Sequence, residues 1–258
     1  MREGLKYLVV GDTILDEDIY LKAVGLSLES PTIKTTYDSK KINYGGAANV
    51  ARFLKNFDRD VTFLTSLTSN NMTILNDVFD LKVKSLFQGK NNTKNRFWIT
   101  HGDSTYKYLQ INDVNDDSIK STLDTYDISS YDIIAFADYR CGFITDSFIN
   151  HCVNSGKITY ASSQISSRES NYERYSEIDY IVCNEKESEF VSREDNICVT
   201  KGSGGCSFNG QDYKGYSVDK VCNTIGAGDC FYAALLATGD PDFANMKASE
   251  FVASELHE

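Results

Sequence analysis

A short glycine-rich stretch near the end of the chain carries the strongest chemical signal. It consists of Gly226, Ala227, Gly228 and Asp229, and the apolar residues 231–236 that follow it are typical of a buried helix. The glycines favour a tight turn, so we expect a helix that begins near Gly226 with unpaired N–H groups and its positive dipole end exposed. Such an end binds anions, and the carboxylate of Asp229 beside it could accept a proton from a hydroxyl group. The alternative is a structural turn in which Asp229 is an ordinary residue of the first helical turn.

A second pair of glycines precedes another predicted helix. Gly45 and Gly46 come directly before residues 47–57, whose apolar positions repeat with helical period. Paired glycines let a ligand approach the backbone closely, and Asn49 would face that ligand from the first helical turn. The alternative is a helix start at which the glycines serve packing alone.

Acidic side chains follow two predicted strands. Asp12 and Asp16 come after the predicted strand at 5–10, and Asp138 ends the apolar run 133–137. Ligands of open α/β sheets bind outside the carboxyl ends of the strands, where carboxylates can accept hydrogen bonds from sugar hydroxyls. Strand-end capping and solvation of the chain end remain the alternatives for these acids.

Two segments predict a small β lid outside the main sheet. Residues 17–44 and 90–112 show short alternating strands, and the second segment contains a hairpin signal. It also carries Lys94 and Arg96, and an arginine offers a planar fork that suits a phosphate group. Charges on an edge strand that discourage aggregation are the alternative for both residues.

The second half of the chain has two further polar segments after strands. Asn184 and Glu187 follow the strand at 178–183, and the pair is also typical of an N-cap on a short acidic helix. Lys201, Gly202 and Gly204 follow the strand at 197–200, where a plain β-turn is the default interpretation.

These residues must be positioned by strands and helices that alternate along the chain. The 258 residues, 41% of them apolar, are enough for a single α/β domain over 1–258 with a substantial core. A net charge of −11 argues against nucleic acid and anionic membranes as partners, and no apolar run is long enough to span a bilayer. Seven cysteines without a C-x-x-C pair indicate reduced thiols, as in a cytoplasmic protein.

Two of these stretches resemble the signatures of one family. Residues 223–231 resemble the D-T-x-G-A-G-D-x-F motif of the ribokinase-like (PfkB) carbohydrate kinases, and residues 45–51 (G-G-A-A-N-V-A) resemble their other signature, a glycine pair followed by an asparagine in the first turn of a helix. The resemblance covers nearly the whole chain. It implies a three-layer α/β sandwich with a mostly parallel sheet flanked by helices, a β lid that forms a homodimer, and phosphorylation of a sugar hydroxyl with ATP and Mg²⁺.

The resemblance also implies a role for each candidate residue. Within the family, the chain looks most similar to the D-glycero-D-manno-heptose 7-phosphate kinases, because of G-D-x-x-x-D at 11–16 and T-K-x-R at 93–96. Asp229 would be the catalytic base, with the anion hole at Gly226, Ala227 and Gly228. The sugar or sugar phosphate would contact Asp12, Asp16, Gly45, Gly46, Asn49, Lys94, Arg96 and Asp138. The nucleotide would contact Asn184, Lys201, Gly202, Gly204 and Asn223, and the metal would be held indirectly by Glu187.

Three departures from the family pattern support a rival hypothesis. Asn223 replaces the first Asp of the motif, and residues 162–168 replace a D-P-K segment, which weakens the assignment to heptose 7-phosphate. Few residues follow Asp229, so we expect a smaller nucleotide-binding side. The rival is a sugar- or nucleotide-binding module without turnover. A dinucleotide oxidoreductase is disfavoured, because no G-x-G-x-x-G follows the first strand.

Overall fold

A nine-stranded sheet forms the centre of the molecule. The computed structural model describes residue 2 and residues 4–86, 91–114, 123–165 and 169–254. The strands of this sheet are β1 (Lys6–Gly11), β4 (Asp60–Thr65), β5 (Lys82–Ser85), β8 (Ile133–Asp138), β9 (Ile158–Ser163), β10 (Tyr180–Asn184), β11 (Ile197–Thr200), β12 (Gly205–Phe208) and β13 (Gln211–Lys214). Their order is β13-β12-β11-β10-β9-β8-β1-β4-β5. Neighbouring strands are parallel except at β12, which is antiparallel to both β11 and β13.

Helices cover both faces of this sheet. They are α1 (Ala47–Asn56), α2 (Ser69–Phe79), α3 (Asp146–Val153), α4 (Glu185–Ser188), α5 (Ala227–Thr238) and α6 (Pro241–Ala253). The central strands β1 and β8 are continuous apolar runs because both of their faces are buried. One core contains Leu54 and Leu236 from α1 and α5, and the other contains Phe148 from α3, so the molecule has three layers. No helix of the described segments is long and apolar enough to cross a membrane.

A second, four-stranded sheet extends from the first. Its strands are β2 (Thr13–Leu26), β3 (Ile33–Gly46), β6 (Asn92–His101) and β7 (Ser104–Asp113), in the order β3-β2-β6-β7. The two segments expected to form a lid lie here, although residue 90 is outside the described residues. The structure has two strands of 14 residues where the sequence predicted several short ones. Most of β3 and all of β7 are exposed, so no steady alternation of apolar residues marks their length.

The topology brings one edge of the large sheet and two helix N-termini together. Strands β1, β8, β9, β10 and β11 are parallel, so their carboxyl ends lie side by side. Helices α1 and α5 pack against each other and begin at the two glycine-rich stretches. Most residues singled out from the sequence are thereby brought to one edge.

Candidate active site

Helix α5 begins in a glycine turn that leaves its first amides accessible. Gly226 is the N-cap residue with φ +89°, a left-handed conformation that favours glycine. The carbonyl groups of Thr224 and Gly226 accept the N–H groups of Ala227 and Cys230 at 3.2 and 2.9 Å. A Cβ atom added to Gly228 would meet nothing within 4 Å, so this side of the first turn faces open space. The N–H groups of Gly228 and Asp229 in this first turn have no acceptor within the helix, so they can meet an anion.

Two side chains hold the carboxylate of Asp229 in place. The Tyr139 hydroxyl donates to Oδ1 of Asp229, and Nδ2 of Asn49 donates to Oδ2 at 3.0 Å. Burial raises the pKa of Asp229 above its usual range, while these two hydrogen bonds and the charge of Arg52 oppose that rise. A carboxylate that is fixed in direction and has an increased affinity for a proton is suited to act as a general base.

Arg52 fixes the orientation of Asn49. Its NH2 group donates to Oδ1 of Asn49 at 3.1 Å, so the amide nitrogen of Asn49 is the atom that faces Asp229. The sequence analysis did not single out Arg52. The available signal was the spacing of three positions between Asn49 and Arg52, because residues three apart lie on the same face of a helix.

The glycine pair is required by a close approach between backbone and side chains. A Cβ atom on Gly45 would lie 2.7 Å from Oδ2 of Asp16, and one on Gly46, whose φ is +66°, would lie 2.5 Å from the carbonyl oxygen of Asp12. Oδ1 of Asp16 in turn pairs with Arg96 at 2.8 Å. The glycines therefore bring β2, with Asp16, close to the start of α1.

The structure places two of the predicted acids beneath the surface. Asp12 is 1% exposed, and its oxygens accept the backbone N–H groups of Tyr139, Cys141 and Phe143 at 2.9, 3.2 and 3.2 Å. Burial and the nearby Asp138 raise the pKa of Asp12 to about 7, although the three N–H groups favour its charged form. The carboxylate of Asp12 therefore organises the loop that carries Tyr139 and is not open to a cavity.

Asp138 is also committed to hydrogen bonds with protein groups. Its Oδ1 accepts the N–H of Arg140 at 2.8 Å, and its Oδ2 accepts from Asn171 at 2.6 Å and from the Tyr175 hydroxyl at 2.7 Å. Asp138 is 3% exposed. Its contacts hold the end of β8 against the segment around residue 172.

Three cavities adjoin the N-terminus of α5. The large cavity has a volume of about 950 Å³ and is lined, among others, by Asp16, Gly45, Asn49, Arg52, Arg96 and Asn223. The central cavity, about 170 Å³, is lined, among others, by Asp138, Tyr139, Asn184, Glu187, Gly228 and Asp229. The apolar cavity, about 320 Å³, is lined by Gly202, Gly215, Val221, Gly228, Ala248 and Val252. Asn49 in the large cavity touches Asp229 in the central cavity, and Gly228 lines both of the smaller cavities.

Asn184 and Glu187 form a capping box at the start of α4. The Glu187 N–H donates to Oδ1 of Asn184 at 3.0 Å, and the Asn184 N–H donates to Oε2 of Glu187 at 2.8 Å. Burial raises the pKa of Glu187, against the hydrogen bonds that it accepts. The residues thus have the structural role that the sequence left open, and they also line the central cavity. Within the described segments no three His, Cys, Asp or Glu residues are grouped as metal ligands.

The turn after β11 forms one wall of the apolar cavity. Gly202–Gly204 is a single 3₁₀ turn, and a Cβ atom on Gly205, whose φ is +97°, would lie 2.1 Å from the carbonyl oxygen of Tyr213. The Lys201 ammonium forms an ion pair at 2.6 Å with Asp212, whose side chain is exposed.

Two of the predicted site residues, Asn223 and Lys94, do not line either of the smaller cavities. Asn223 accepts the Ile225 N–H at 2.9 Å and lines the large cavity together with residues of α1, whereas Lys201 does not line that cavity. Lys94 lies two residues before Arg96 and therefore on the same face of β6. Of the segment 162–168, residues 166–168 lie outside the described residues.

Comparisons with known proteins agree with this geometry. A family model described as pfkB family carbohydrate kinase matches residues 5–240. The fold is similar to a nucleoside kinase of Methanocaldococcus jannaschii, with 17% identity and a TM-score of 0.65 over 97% of this chain and 92% of that one. It is similar to a ribokinase of Thermotoga maritima, with 19% identity and a TM-score of 0.65 over 97% and 94%. It is also similar to an Arabidopsis thaliana ribokinase complexed with ribose and ATP, with 15% identity and a TM-score of 0.69 over 97% and 93%. No curated protein matches the chain by sequence. The similarities to solved structures confirm the ribokinase-like fold predicted from the sequence.

Proposed function

Because this chain belongs to the pfkB family of carbohydrate kinases, we propose that it transfers the terminal phosphoryl group of ATP to a hydroxyl group of a sugar or sugar phosphate. The observation that carries the proposal is the carboxylate of Asp229. Asn49 and Tyr139 hold it in the wall of the central cavity, beside the first turn of α5, and Asn49 itself also lines the large cavity. A general base is needed at that point, between an acceptor and an anion hole.

Asp229 is the general base in this proposal. Its carboxylate accepts the proton of the acceptor hydroxyl, so that the oxygen can form its new bond to phosphorus as the bond to the leaving diphosphate breaks. ATP supplies the phosphoryl group, and Mg²⁺ neutralises charge on the phosphates. The anion hole of the proposal lies at the start of α5, at Gly226, Ala227 and Gly228. Because the Ala227 N–H already donates to Thr224, the N–H of Gly228 is the donor that faces the developing negative charge. Asn49 and Tyr139 keep the base in one orientation, which is the main contribution that a protein makes to this reaction.

The nucleotide side of the site has a suitable shape. With a volume of about 320 Å³ the apolar cavity is large enough for a purine base, and Ala248 and Val252 of α6 line it. It leads past Gly228 to the central cavity, where Glu187 offers carboxylate oxygen, the type of atom that Mg²⁺ prefers. A magnesium ion that keeps several waters needs no cage of protein ligands. The residues present therefore fit ATP and Mg²⁺, and the proposal includes both.

The acceptor occupies the large cavity in this proposal. Gly45, Asn49 and Asp16 line it next to the base, and carboxylate and amide groups of this kind suit sugar hydroxyls. The buried positions of Asp12 and Asp138 support a positioning role beneath the site rather than direct contact with the acceptor. Heptose phosphates belong among the candidate acceptors because of the resemblance at residues 11–16 and 93–96.

We include in the proposal a single domain over 1–258, in which the four-stranded sheet covers the acceptor as a lid and pairs with a second copy of the chain. All of β7 is exposed, including Tyr108 at 59% and Ile111 at 47%, and an apolar strand surface of this kind supports self-association. Light scattering of the purified protein tests this: a mass of two chains is expected, and a single chain at micromolar concentration would contradict it.

Release of ADP from Mg-ATP tests the proposed function. The panel contains free sugars, nucleosides and sugar phosphates, and heptose 7-phosphate is one member. Turnover that depends on one acceptor class is expected. The rival, a binding module without turnover, is motivated by Asn223; it predicts calorimetric binding of a sugar or of ATP with no acceptor-dependent ADP release. That result would contradict the proposed function.

A further inference from the structure

Arg52 is a partly buried cation in the wall of the large cavity. Its guanidinium carbon lies 5.2 Å from the centre of the Phe53 ring and 5.3 Å from the centre of the Phe79 ring, both of which line the same cavity. Desolvation lowers the pKa of Arg52, and Asp229 opposes this effect. Two aromatic rings thus hold a planar charged group beside the site of the reaction.

Arg52 is partly buried and has no ion pair with any described residue, whereas two of the other cations that line the large cavity are paired and the third, Lys41, is exposed. Arg96 pairs with Asp16 at 2.8 Å, and Lys55 pairs with Asp80 at 2.8 Å. Within the described residues Arg52 forms no ion pair, and its one hydrogen bond goes from NH2 to the neutral amide of Asn49. Buried cations are normally paired, and a guanidinium has five N–H donors. The donors that Asn49 does not use can bind an anion that enters the cavity.

We propose that Arg52 binds an anionic substituent, a phosphate or a carboxylate, on the acceptor molecule, so that the enzyme phosphorylates a charged sugar derivative in preference to a neutral sugar. The inference rests on the proposed function, because it takes the large cavity as the acceptor site. Guanidinium groups match both phosphate and carboxylate oxygens in a two-pronged geometry.

The position of Arg52 also restricts where the substituent lies. The side chain of one residue, Asn49, separates the guanidinium from Asp229, with contacts of 3.1 and 3.0 Å at its two ends. The anion and the reacting hydroxyl therefore lie on the same part of a small acceptor. The sequence favoured Lys94 or Arg96 for an anion, but at Arg96 an incoming phosphate would have to compete with the carboxylate of Asp16.

Binding of matched ligand pairs tests the inference independently of turnover. Calorimetry would compare fructose with fructose 6-phosphate, ribose with ribose 5-phosphate, and glucose with gluconate, and inorganic phosphate would serve as a separate probe. The proteins are wild type, Arg52→Gln, Arg52→Lys and the matched control Lys55→Gln, whose cation lies in the same cavity but is paired with Asp80.

Wild type should bind an anionic ligand more tightly than its neutral partner, and Arg52→Gln should weaken that binding by about 10- to 100-fold, as expected for a hydrogen-bonded charge pair. Lys55→Gln should bind like wild type, and Arg52→Lys should retain part of the preference. The phosphate and carboxylate pairs show which anion the site takes. Melting temperatures of the unliganded variants check that each one is folded.

Three results would overturn the inference. These are an equal affinity for neutral and anionic partners, an equal loss for both in Arg52→Gln, and an absence of any anion binding that depends on Arg52, inorganic phosphate included. Arg52-dependent binding without turnover would instead contradict the kinase proposal and leave the anion site standing. Turnover of a neutral sugar with an unchanged KM in Arg52→Gln would contradict the anion site and leave the kinase proposal standing.

Discussion

The hydroxyl group of Tyr139 offers a direct way to perturb the proposed base. It donates to Oδ1 of Asp229, while Oδ2 keeps its separate hydrogen bond from Asn49. Tyr139→Phe removes the first donor and preserves the ring that packs against the core. The carboxylate then loses one of the two hydrogen bonds that favour its charged form, and burial continues to favour the neutral form.

The size of this effect follows from the hydrogen bond that is lost. A hydrogen bond to a charged group contributes about 1.5–3 kcal/mol, and one pKa unit corresponds to about 1.4 kcal/mol. The pKa of Asp229 should therefore rise by about 1–2 units in Tyr139→Phe. The base acts only when it is ionised, so activity falls as the pH drops through this pKa. The acid limb of the kcat/KM profile should move to higher pH by the same 1–2 units, with near wild-type rates on the alkaline side.

The assay is the pH profile of ADP release for wild type, Tyr139→Phe and Tyr232→Phe. Tyr232 is the matched control, because its buried hydroxyl donates to the carbonyl oxygen of Phe136 at 3.0 Å and not to Asp229. Tyr232→Phe should lose stability without moving the acid limb. An acid limb that stays in place in Tyr139→Phe, or a loss of rate that is equal at every pH, would refute the assignment of Asp229 as the titrating base.

Two further predictions address the scaffold and the nucleotide side. Gly46→Ala should destabilise the fold by about 2–4 kcal/mol in a urea titration, since its Cβ would lie 2.5 Å from the Asp12 carbonyl oxygen at φ +66°. The control Gly156→Ala, at φ +71° with nothing within 4 Å, should cost only about 1 kcal/mol, and equal losses would argue against the close approach. Ala248→Trp should fill the apolar cavity and raise the Kd for ATP about tenfold in calorimetry, with acceptor binding unchanged. Unaltered ATP affinity would place the nucleotide elsewhere.

The sequence predicted the elements whose burial is uniform. Strands β1 and β8 were clear because both faces are covered, which leaves an uninterrupted apolar run. The glycine-rich starts of α1 and α5 were also clear, because a positive φ at Gly46 and Gly226 restricts those positions to few residue types. The lengths of β2 and β3 were not predicted, since a sheet exposed on much of its surface needs no regular apolar pattern.

The site itself was predicted less completely than the fold. Asp12 and Asp138 were located correctly at strand ends, but the direction of their carboxylates depends on the backbone of residues 139–143, which no local pattern specifies. Tyr139 was missed because its contact with Asp229 joins residues 90 positions apart in the chain. Asn223 was placed with the nucleotide by its motif; the turn that it caps lines the large cavity, and its role in nucleotide binding stays a prediction.

The most direct test of the account is ADP release by Asp229→Asn beside wild type, with the acceptor that the panel identifies. Asparagine preserves the size of the side chain and removes the base, so the rate should fall by about 10²- to 10⁴-fold while ATP binding in calorimetry stays within a few-fold of wild type. Turnover in Asp229→Asn at the wild-type rate, with the variant folded, would contradict the central claim that this carboxylate accepts the proton of the acceptor hydroxyl.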